Sequence, residues 1–591
     1  MLKNDVALLL GAAIARIETA GLLPAAAVHV ERTRDPAHGD FASNVAMTLA
    51  KAARRKPRAI AEALVAALPA TDIVDRVEIA GPGFINFHLK PAAFEAAIRE
   101  ILEAGPDYGH DRSGERGPIL IEFVSANPTG PMHVGHGRGA AYGDSLANIL
   151  AVSGYRVHRE YYINDAGRQA DILAVSVWLR YLELCGEHLG FPQRAYPGDY
   201  IRETAVALFT EHGRAFCHEA AAVFRDIPDD PIAAPGADHD ERERIKGLQE
   251  DRADALILRA RQLLGDGYGV IQRRALADQL AVIRATLTDF GVTFDRWCSE
   301  RDLVTSGVAT AAMERLRAAG HVYEDGGALW LRTSAFGDEK DRVLIKADGS
   351  ATYFANDIAY HIDKLDRGHP RLLDVWGADH HGYIGRVRAA ITALTGRQDA
   401  LSVQLVQFVT LASGRMGKRS GNFVTFRELI AETGRDATRF FYLLRSHDQH
   451  LEFNIDLARA RSNDNPVYYV QYAHARIQSV LRQLADKGLT HDMASGNASL
   501  ARLTEPHERE LMGRLSRYPE VVEVAAVNYE PHHLAHYLIE LANDFHGYYN
   551  AHKFIGASDE LRDARLNLCL ATRQVIRNGL GLLGVSAPET M

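Results

Sequence analysis

Two histidines three residues apart, His133 and His136, follow a stretch punctuated by glycine and proline within residues 118–154, PILIEFVSANPTGPMHVGHGRGAAYGDSLANILAVSG. On the first turn of a helix, two imidazole donors at this spacing reach the oxygens of one phosphate, and a helix N-terminus favours the same anion. Gly135, Gly137 and Gly139 let a nucleotide approach the backbone closely. Other chemistries compete for the pair: one ring as a helix cap with the other in solvent, or two ligands of a metal. A metal pair lacks a third ligand in a suggestive place, and its spacing is not that of HExxH. A dinucleotide fingerprint fails outright, because Ala140 and Tyr142 stand where GxGxxG needs its last glycine.

The elements that must position these rings can be read on either side. Ile119 to Val124 is a short apolar run ending in a break, as in a buried parallel strand. Asn127, Pro128, Gly130 and Pro131 forbid regular structure. From about His136 to Ser153 apolar residues recur at helical spacing, and Gly154 is a natural stop.

A chain of 591 residues has room for three or four domains. Its apolar and charged fractions, 47% and 24%, are those of a globular protein. No apolar run approaches the ~18 residues of a membrane span, and no signal-peptide cleavage site follows the first helix, so a cytoplasmic location is the default. A net charge of −9 argues against a globally basic nucleic-acid binder, although a local basic surface suffices to meet phosphates. Cys185, Cys217, Cys298 and Cys569 are far apart without CxxC, so neither a disulfide framework nor a Cys-based zinc site is expected.

Residues 1–110 read as a small α+β domain with a basic run from Lys51 to Arg58 and a Gly-Pro-Gly turn in VEIAGPGFINFHL. Residues 105–117, rich in glycine and charge, read as a linker. Residues 111–450 read as an α/β domain with a Rossmann-like parallel sheet, since strand and helix patterns alternate after Pro118. Pro- and Asp-rich loops between helices mark an insertion at about 187–285. The sheet resumes with FDRWCSE (294–300), and GALWLRT and DRVLIKA read as two more strands. Polar residues after the strand in RLLDVWGADHHGY sit where open α/β sheets bind ligands. Residues 451–591 read as an all-α domain, with Val470, Ile477, Val480, Leu481 and Leu484 on one stripe.

HVGH after a strand and a Pro-rich loop resembles the His-Ile-Gly-His signature of class I aminoacyl-tRNA synthetases. The longer EFVSANPTGPMHVGH is similar to arginyl-tRNA synthetases in particular. GDFASNVA and PGFINF resemble the N-terminal domain of that family, and NPVYYVQYAHARI its anticodon-binding helices. SGRMGKRSGN resembles the second class I signature, Lys-Met-Ser-Lys-Ser; only Met416 and Lys418 match it, with Arg415 at the first Lys.

The resemblance implies an arginine–tRNA ligase, which activates arginine with ATP to an adenylate and transfers it to the 3′-terminal adenosine of its tRNA. It implies His133, His136 and Lys418 as catalytic residues. His133, Gly135, His136, Gly137, Asp379, Met416 and Lys418 would bind ATP, which brings Mg2+, with no metal bound by the protein itself. Arginine would meet Glu122, Asn127, His136, Tyr353, Asp357 and His380, since a guanidinium is a planar fork of donors that needs carboxylates in its plane. The tRNA would meet Phe84, Asn86, Tyr468, Tyr472 and Arg476. The expected partners are tRNA, arginine and ATP, with no membrane, and the expected state is a monomer. Family members that lack the second signature Lys often carry a Lys a few residues ahead of HxGH; that place is Gly130 here.

As residues alone these groups have plainer readings: Phe84 as core, Asp357 as a charge favourable to a helix N-terminus, the Lys/Arg loop as solvated surface. Another class I synthetase, such as the lysine enzyme, and a non-catalytic tRNA-binding paralogue are the competing functions. His133, His136 and Lys418, all present, argue against the paralogue.

Overall fold

The computed structural model describes residues 2–19, 28–33, 35–111, 113–412 and 424–591. They form two compact units. One comprises Gly114–Ala151 with Tyr155–Arg459; the other joins the chain's N-terminal part, up to Ser113, to Val152–Gly154 and everything from Ala460 onward.

The first unit is built on a five-stranded parallel sheet in the order Leu401–Val406, Leu372–Gly377, Gly117–Glu122, Tyr155–Ile163, Arg296–Ser299. The chain starts in the middle strand, works to one edge and returns on the other side. The switch point therefore falls between Gly117–Glu122 and Leu372–Gly377, where such sheets open a ligand crevice. Ile119, Leu120 and Ile121 are all buried, as strands covered on both faces require.

The helix Val134–Val152, which carries His136, is fixed by two buried arginines. Arg138 donates to the carbonyls of Gln407, Ser446 and Gln449 at 2.9, 2.8 and 2.7 Å. Arg439 pairs with Asp144 at 2.5 Å and donates to the Phe290 carbonyl at 3.1 Å. A Cβ on Gly143 would lie 2.3 Å from the Phe123 ring, so this glycine lets the helix settle on the end of its own strand.

The strands expected from GALWLRT and DRVLIKA form, but in a different sheet. Ala328–Leu331 and Arg342–Ile345 pair antiparallel, with Val322–Asp325, in a separate three-stranded sheet. Gly326 and Gly327, at φ 57° and 80°, make a two-residue hairpin turn that joins only antiparallel neighbours.

Between the helix Arg168–Leu184 and the edge strand Arg296–Ser299 come the helices Asp199–His212, Ala220–Val223, His239–Leu264 and Asp266–Asp289, packed around Trp178, Tyr181, Leu256 and Ile271. Within this insertion Cys185 and Cys217 are joined by a disulfide, contrary to the sequence reading. Helix packing brings their Cα atoms to 5.9 Å across a separation of 32 residues, a proximity that spacing does not reveal.

In the second unit, a four-stranded antiparallel sheet (Glu31–Arg32, Phe41–Ser43, Phe84–Leu89, Val74–Ala80) packs with the helices Leu2–Thr19, Val45–Ala53 and Pro57–Ala67. The part after Ala460 is helical, with Pro466–Asp486, Pro506–Ser516, Tyr518–Asn528, His532–Ala551 and Asp559–Leu582. The two parts meet closely. Arg32 forks onto both oxygens of Glu520 at 2.9 Å. Tyr108, in the stretch read as a linker, is buried and stacked on Tyr518 at 5.9 Å. Among the described residues no helix is long and apolar enough to cross a membrane.

Candidate active site

A cavity of about 480 Å³ opens at the switch point. Its walls include Asn127, His133, Gly135, His136, Gly139, Tyr162, Asn164, Trp376, Asp379, His380 and Phe408. The two histidine rings stack at 3.7 Å. The backbone N–H of Gly135 donates to Nδ1 of His133 at 3.1 Å, and that of His133 to Nδ1 of His136 at 3.2 Å. With both Nδ1 atoms accepting, the ring protons sit on Nε2, and each ring keeps one donor for a ligand. Withdrawal from water lowers both pKa values, that of His136 to about 3 with the neighbouring His133 contributing. Both rings are therefore neutral donors at physiological pH.

The three glycines divide their roles. A Cβ on Gly139 would meet nothing within 4 Å, so its backbone is open to the cavity. Gly137 was expected at the nucleotide; its missing side chain instead admits the Phe426 ring, 2.3 Å from where a Cβ would lie. A Cβ on Gly135 would crowd the His133 ring at 3.0 Å.

Asp357 lies in the first turns of the helix Tyr353–Asp366, whose N-cap Thr352 accepts from the Ala355 N–H at 3.3 Å. Its carboxylate accepts a hydrogen bond from the Tyr383 hydroxyl, and burial raises its pKa. Sequence reasoning missed its counterpart, Glu300. This buried carboxyl has its pKa pushed up to about 7, first by burial and then by the charge of Asp357, with the neighbouring Asn356 and Tyr162 acting in the opposite sense. Two carboxyls interacting out of water are poised for a cation; neither lines the cavity itself, and Glu300 is linked to it through Asn164, which does. The Asn164 amide, oriented as its neighbours demand, donates to Glu300 at 2.9 Å and lies 3.2 Å from the Asn127 side chain. The available signal was positional: Glu300 directly follows a strand of the parallel sheet, at its carboxyl end.

Other expected residues are placed differently. Both oxygens of Glu122 are engaged within the protein, Oε2 by Lys364 at 2.5 Å and Oε1 by the Ser125 hydroxyl at 2.9 Å, so this buried group does not face a substrate. Tyr353 is 73% exposed at the start of its helix. Asp379 and His380, 3.6 Å apart, are exposed in the cavity wall. Arg415, Met416 and Lys418 lie outside the described residues. On one flank of that stretch Gln407 and Phe408 line the cavity; on the other, Thr425 bridges to His133 and the Phe426 N–H donates to the Met132 carbonyl at 2.8 Å.

In the other unit, Phe84 is 37% exposed at the start of its strand, as stacking on a base requires. Asn86 is only 4% exposed, so its amide is not presented to a base as expected. Asn465 caps the helix Pro466–Asp486, which carries Tyr468, Tyr472 and Arg476 at i, i+4 and i+8 on one partly exposed face. The two tyrosine rings stack at 6.2 Å, and the Arg476 guanidinium lies 3.8 Å from the Tyr549 ring centroid. Aromatic faces beside a guanidinium suit unstacked bases.

Comparison with known proteins adds three matching family models. They are described as the arginyl tRNA synthetase N-terminal domain over residues 5–89, the class I (R) tRNA synthetase catalytic domain over 97–184 and 272–451, and the DALR anticodon binding domain over 470–591. The interval the catalytic match skips belongs to the helical insertion. The chain is 54% identical to the arginine–tRNA ligase of Thioalkalivibrio sulfidiphilus and 52% to that of Halorhodospira halophila, with 100% of both chains covered in each case. Among solved structures, Thermus thermophilus arginyl-tRNA synthetase aligns at a TM-score of 0.74 with 25% identity over 100% of each chain. The Plasmodium falciparum arginyl-tRNA synthetase shares the fold at a TM-score of 0.72 and 16% identity, covering 100% of this chain and 99% of its own.

Proposed function

Since the chain belongs to the arginyl-tRNA synthetases and is an arginine–tRNA ligase, we propose how its cavity divides the work. ATP enters as its Mg2+ complex, with its phosphates against the Nε2 donors of His133 and His136 and its adenosine along Gly135, Gly139 and Asp379. Arginine lies with its α-end at Asn127 and its guanidinium between Asp357 and Glu300. A carboxylate oxygen of arginine attacks the α-phosphorus in line and pyrophosphate leaves. Such a step is mainly positioning and charge stabilisation. The imidazoles donate as charge builds on the phosphate, a contribution typically of ~2.7–4 kcal/mol per donor. Lys418 neutralises the departing pyrophosphate.

The observation that carries the amino-acid assignment is the Glu300–Asp357 pair: Glu300 is buried, bonded by the Asn164 amide at 2.9 Å, and its carboxyl is raised to about 7 by burial and by the charge of Asp357. A guanidinium satisfies both groups with a planar fork. Phe84 and the Tyr468–Tyr472–Arg476 face take up the tRNA. The working form is a monomer in the cytoplasm.

The test is Asp357→Asn, which keeps shape and removes charge. A charge-assisted hydrogen bond is worth ~1.5–3 kcal/mol, so the KM for arginine should rise at least about tenfold while that for ATP holds. An unchanged arginine KM would mean the guanidinium lies elsewhere.

A further inference from the structure

Behind the arginine end of the cavity lies a charged cluster that the reaction does not use directly. Asp374 and Glu122 are register partners on neighbouring parallel strands, so two carboxylates stand side by side in the core. Lys364, fully buried, reaches in from the helix Tyr353–Asp366 and sets Nζ 2.5 Å from Glu122 Oε2 and 3.0 Å from Asp374 Oδ1. The other Asp374 oxygen lies 2.8 Å from Nε2 of His361, whose Nδ1 lies 2.7 Å from the Asp357 carbonyl. Both ring nitrogens thus face oxygen acceptors, and the Lys364 ammonium meets two carboxyl groups out of water.

Burying ionisable groups in this way is seldom a source of net stability, because desolvation offsets the attraction. What this cluster supplies is position, and each arm ends at the arginine pocket. Glu122 Oε1 accepts from the Ser125 hydroxyl at 2.9 Å, and the same hydroxyl oxygen accepts from the Tyr162 N–H at 3.1 Å. Ser125 and Tyr162 both line the cavity. On the other side, His361 holds the Asp357 carbonyl. Between these arms the backbone is strained: Val124 and Ser125 have φ of 69° and 40°, a left-handed conformation in which a β-branched residue is an outlier. A turn of this kind persists only where its surroundings over-determine it.

We propose that Lys364, with Glu122, Asp374 and His361, is a positioning residue for arginine, setting the separation between the Asn127 loop and Asp357. The inference rests on the assignment of this cavity to arginine. A pocket that reads both ends of one extended side chain must hold two walls at a fixed distance, and here the walls belong to segments far apart in sequence. Lys364 bonds to Glu122 at the root of one wall and to Asp374 beneath the other. The cluster therefore acts as a ruler for side-chain length.

The test compares Ser125→Ala, Lys364→Met and Asp357→Asn by aminoacylation kinetics and thermal unfolding, with arginine and with homoarginine, its homologue one methylene longer. Ser125→Ala leaves the ionic cluster paired, so its reading does not depend on whether Lys364→Met folds. Ser125→Ala should raise the arginine KM by about tenfold, leave the ATP KM unchanged and narrow the preference for arginine over homoarginine. Lys364→Met, where it folds, should do the same more strongly. A normal arginine KM and preference in Ser125→Ala, beside a raised KM in Asp357→Asn, would overturn the positioning role and leave the arginine assignment standing. Arginine and ATP KM values rising together in Ser125→Ala would overturn it as well. An unchanged arginine KM in Asp357→Asn would overturn the assignment itself.

Discussion

The Tyr200 hydroxyl donates to the Thr129 carbonyl at 2.9 Å, and its oxygen lies 2.7 Å from where a Cβ on Gly130 would sit. A residue of the helical insertion therefore closes the position at which the family resemblance would place a substitute lysine. Lys418 then has no stand-in ahead of the histidines. Lys418→Ala should lower kcat at least a hundredfold, about 2.7 kcal/mol of transition-state stabilisation, with arginine affinity little changed. Arg415→Ala should cost clearly less, its fork being shaped for bidentate contacts rather than a point charge. Adding Gly130→Lys to Lys418→Ala should restore part of the loss only when Tyr200→Ala makes room. Near-normal turnover in Lys418→Ala would remove the loop from the mechanism.

Arginine binding should depend on pH through Glu300. Its carboxyl, raised from 4.5 to about 7, holds its proton in the folded free enzyme up to near neutrality. In the unfolded chain it would ionise near pH 4.5, so its contribution to stability is full below that value and is lost as pH rises through 7. A bound guanidinium favours the ionised form, and binding must expel the proton. Calorimetric titration should therefore show arginine affinity falling as pH drops from 7 toward 5.5, and Glu300→Gln should flatten the profile. A wild-type affinity independent of pH would separate Glu300 from the guanidinium.

Two neighbouring glycines should respond oppositely to the same methyl group. Gly137→Ala drives a Cβ into the Phe426 ring and should cost roughly 1–3 kcal/mol of stability, as overpacked cores do. Gly139→Ala meets nothing within 4 Å and should leave Tm unchanged while raising the KM for ATP, because it narrows the cavity wall. Thermal unfolding and ATP kinetics on the two variants check both halves.

The tRNA contacts should separate from the chemistry. Stacking of a base on an aromatic ring is worth ~1–3 kcal/mol, so Phe84→Ala and Tyr472→Ala should each raise the KM for tRNA about five- to a hundredfold and spare those for ATP and arginine. Asn86→Ala, at a buried position, should instead act through stability. Equal loss for all three substrates in Phe84→Ala would make that ring a core residue.

The geometry of His133 and His136 could be read from one continuous phrase because strand, loop, rings and helix are consecutive, and local chemistry fixes the Nδ1 acceptors. The Glu300–Asp357 pair could not, because it is assembled from distant segments. Glu300 and Asp357 meet only through the sheet order, and Glu122 meets its partner Lys364 across 242 residues. Read as a lone carboxylate before the signature, Glu122 looks like a substrate ligand; only its buried cation shows otherwise. The antiparallel sheet went unrecognised for a different reason. GALWLRT and DRVLIKA have the right strand character, and the deciding residues, Gly326 and Gly327, lie in the turn at the edge of the first of them.

The Arg32–Glu520 fork and the Tyr108–Tyr518 stack also impose a timetable on biosynthesis. About 350 residues separate Ser113 from Ala460; at about 5–20 residues per second a ribosome needs roughly 20–70 s to make them. Throughout that interval the first part of the unit has left the ribosome while the helices that cover Tyr108 do not yet exist. A nascent chain stalled in this window shows an uncovered aromatic surface to chaperones and proteases, and release of the last helices ends the exposure.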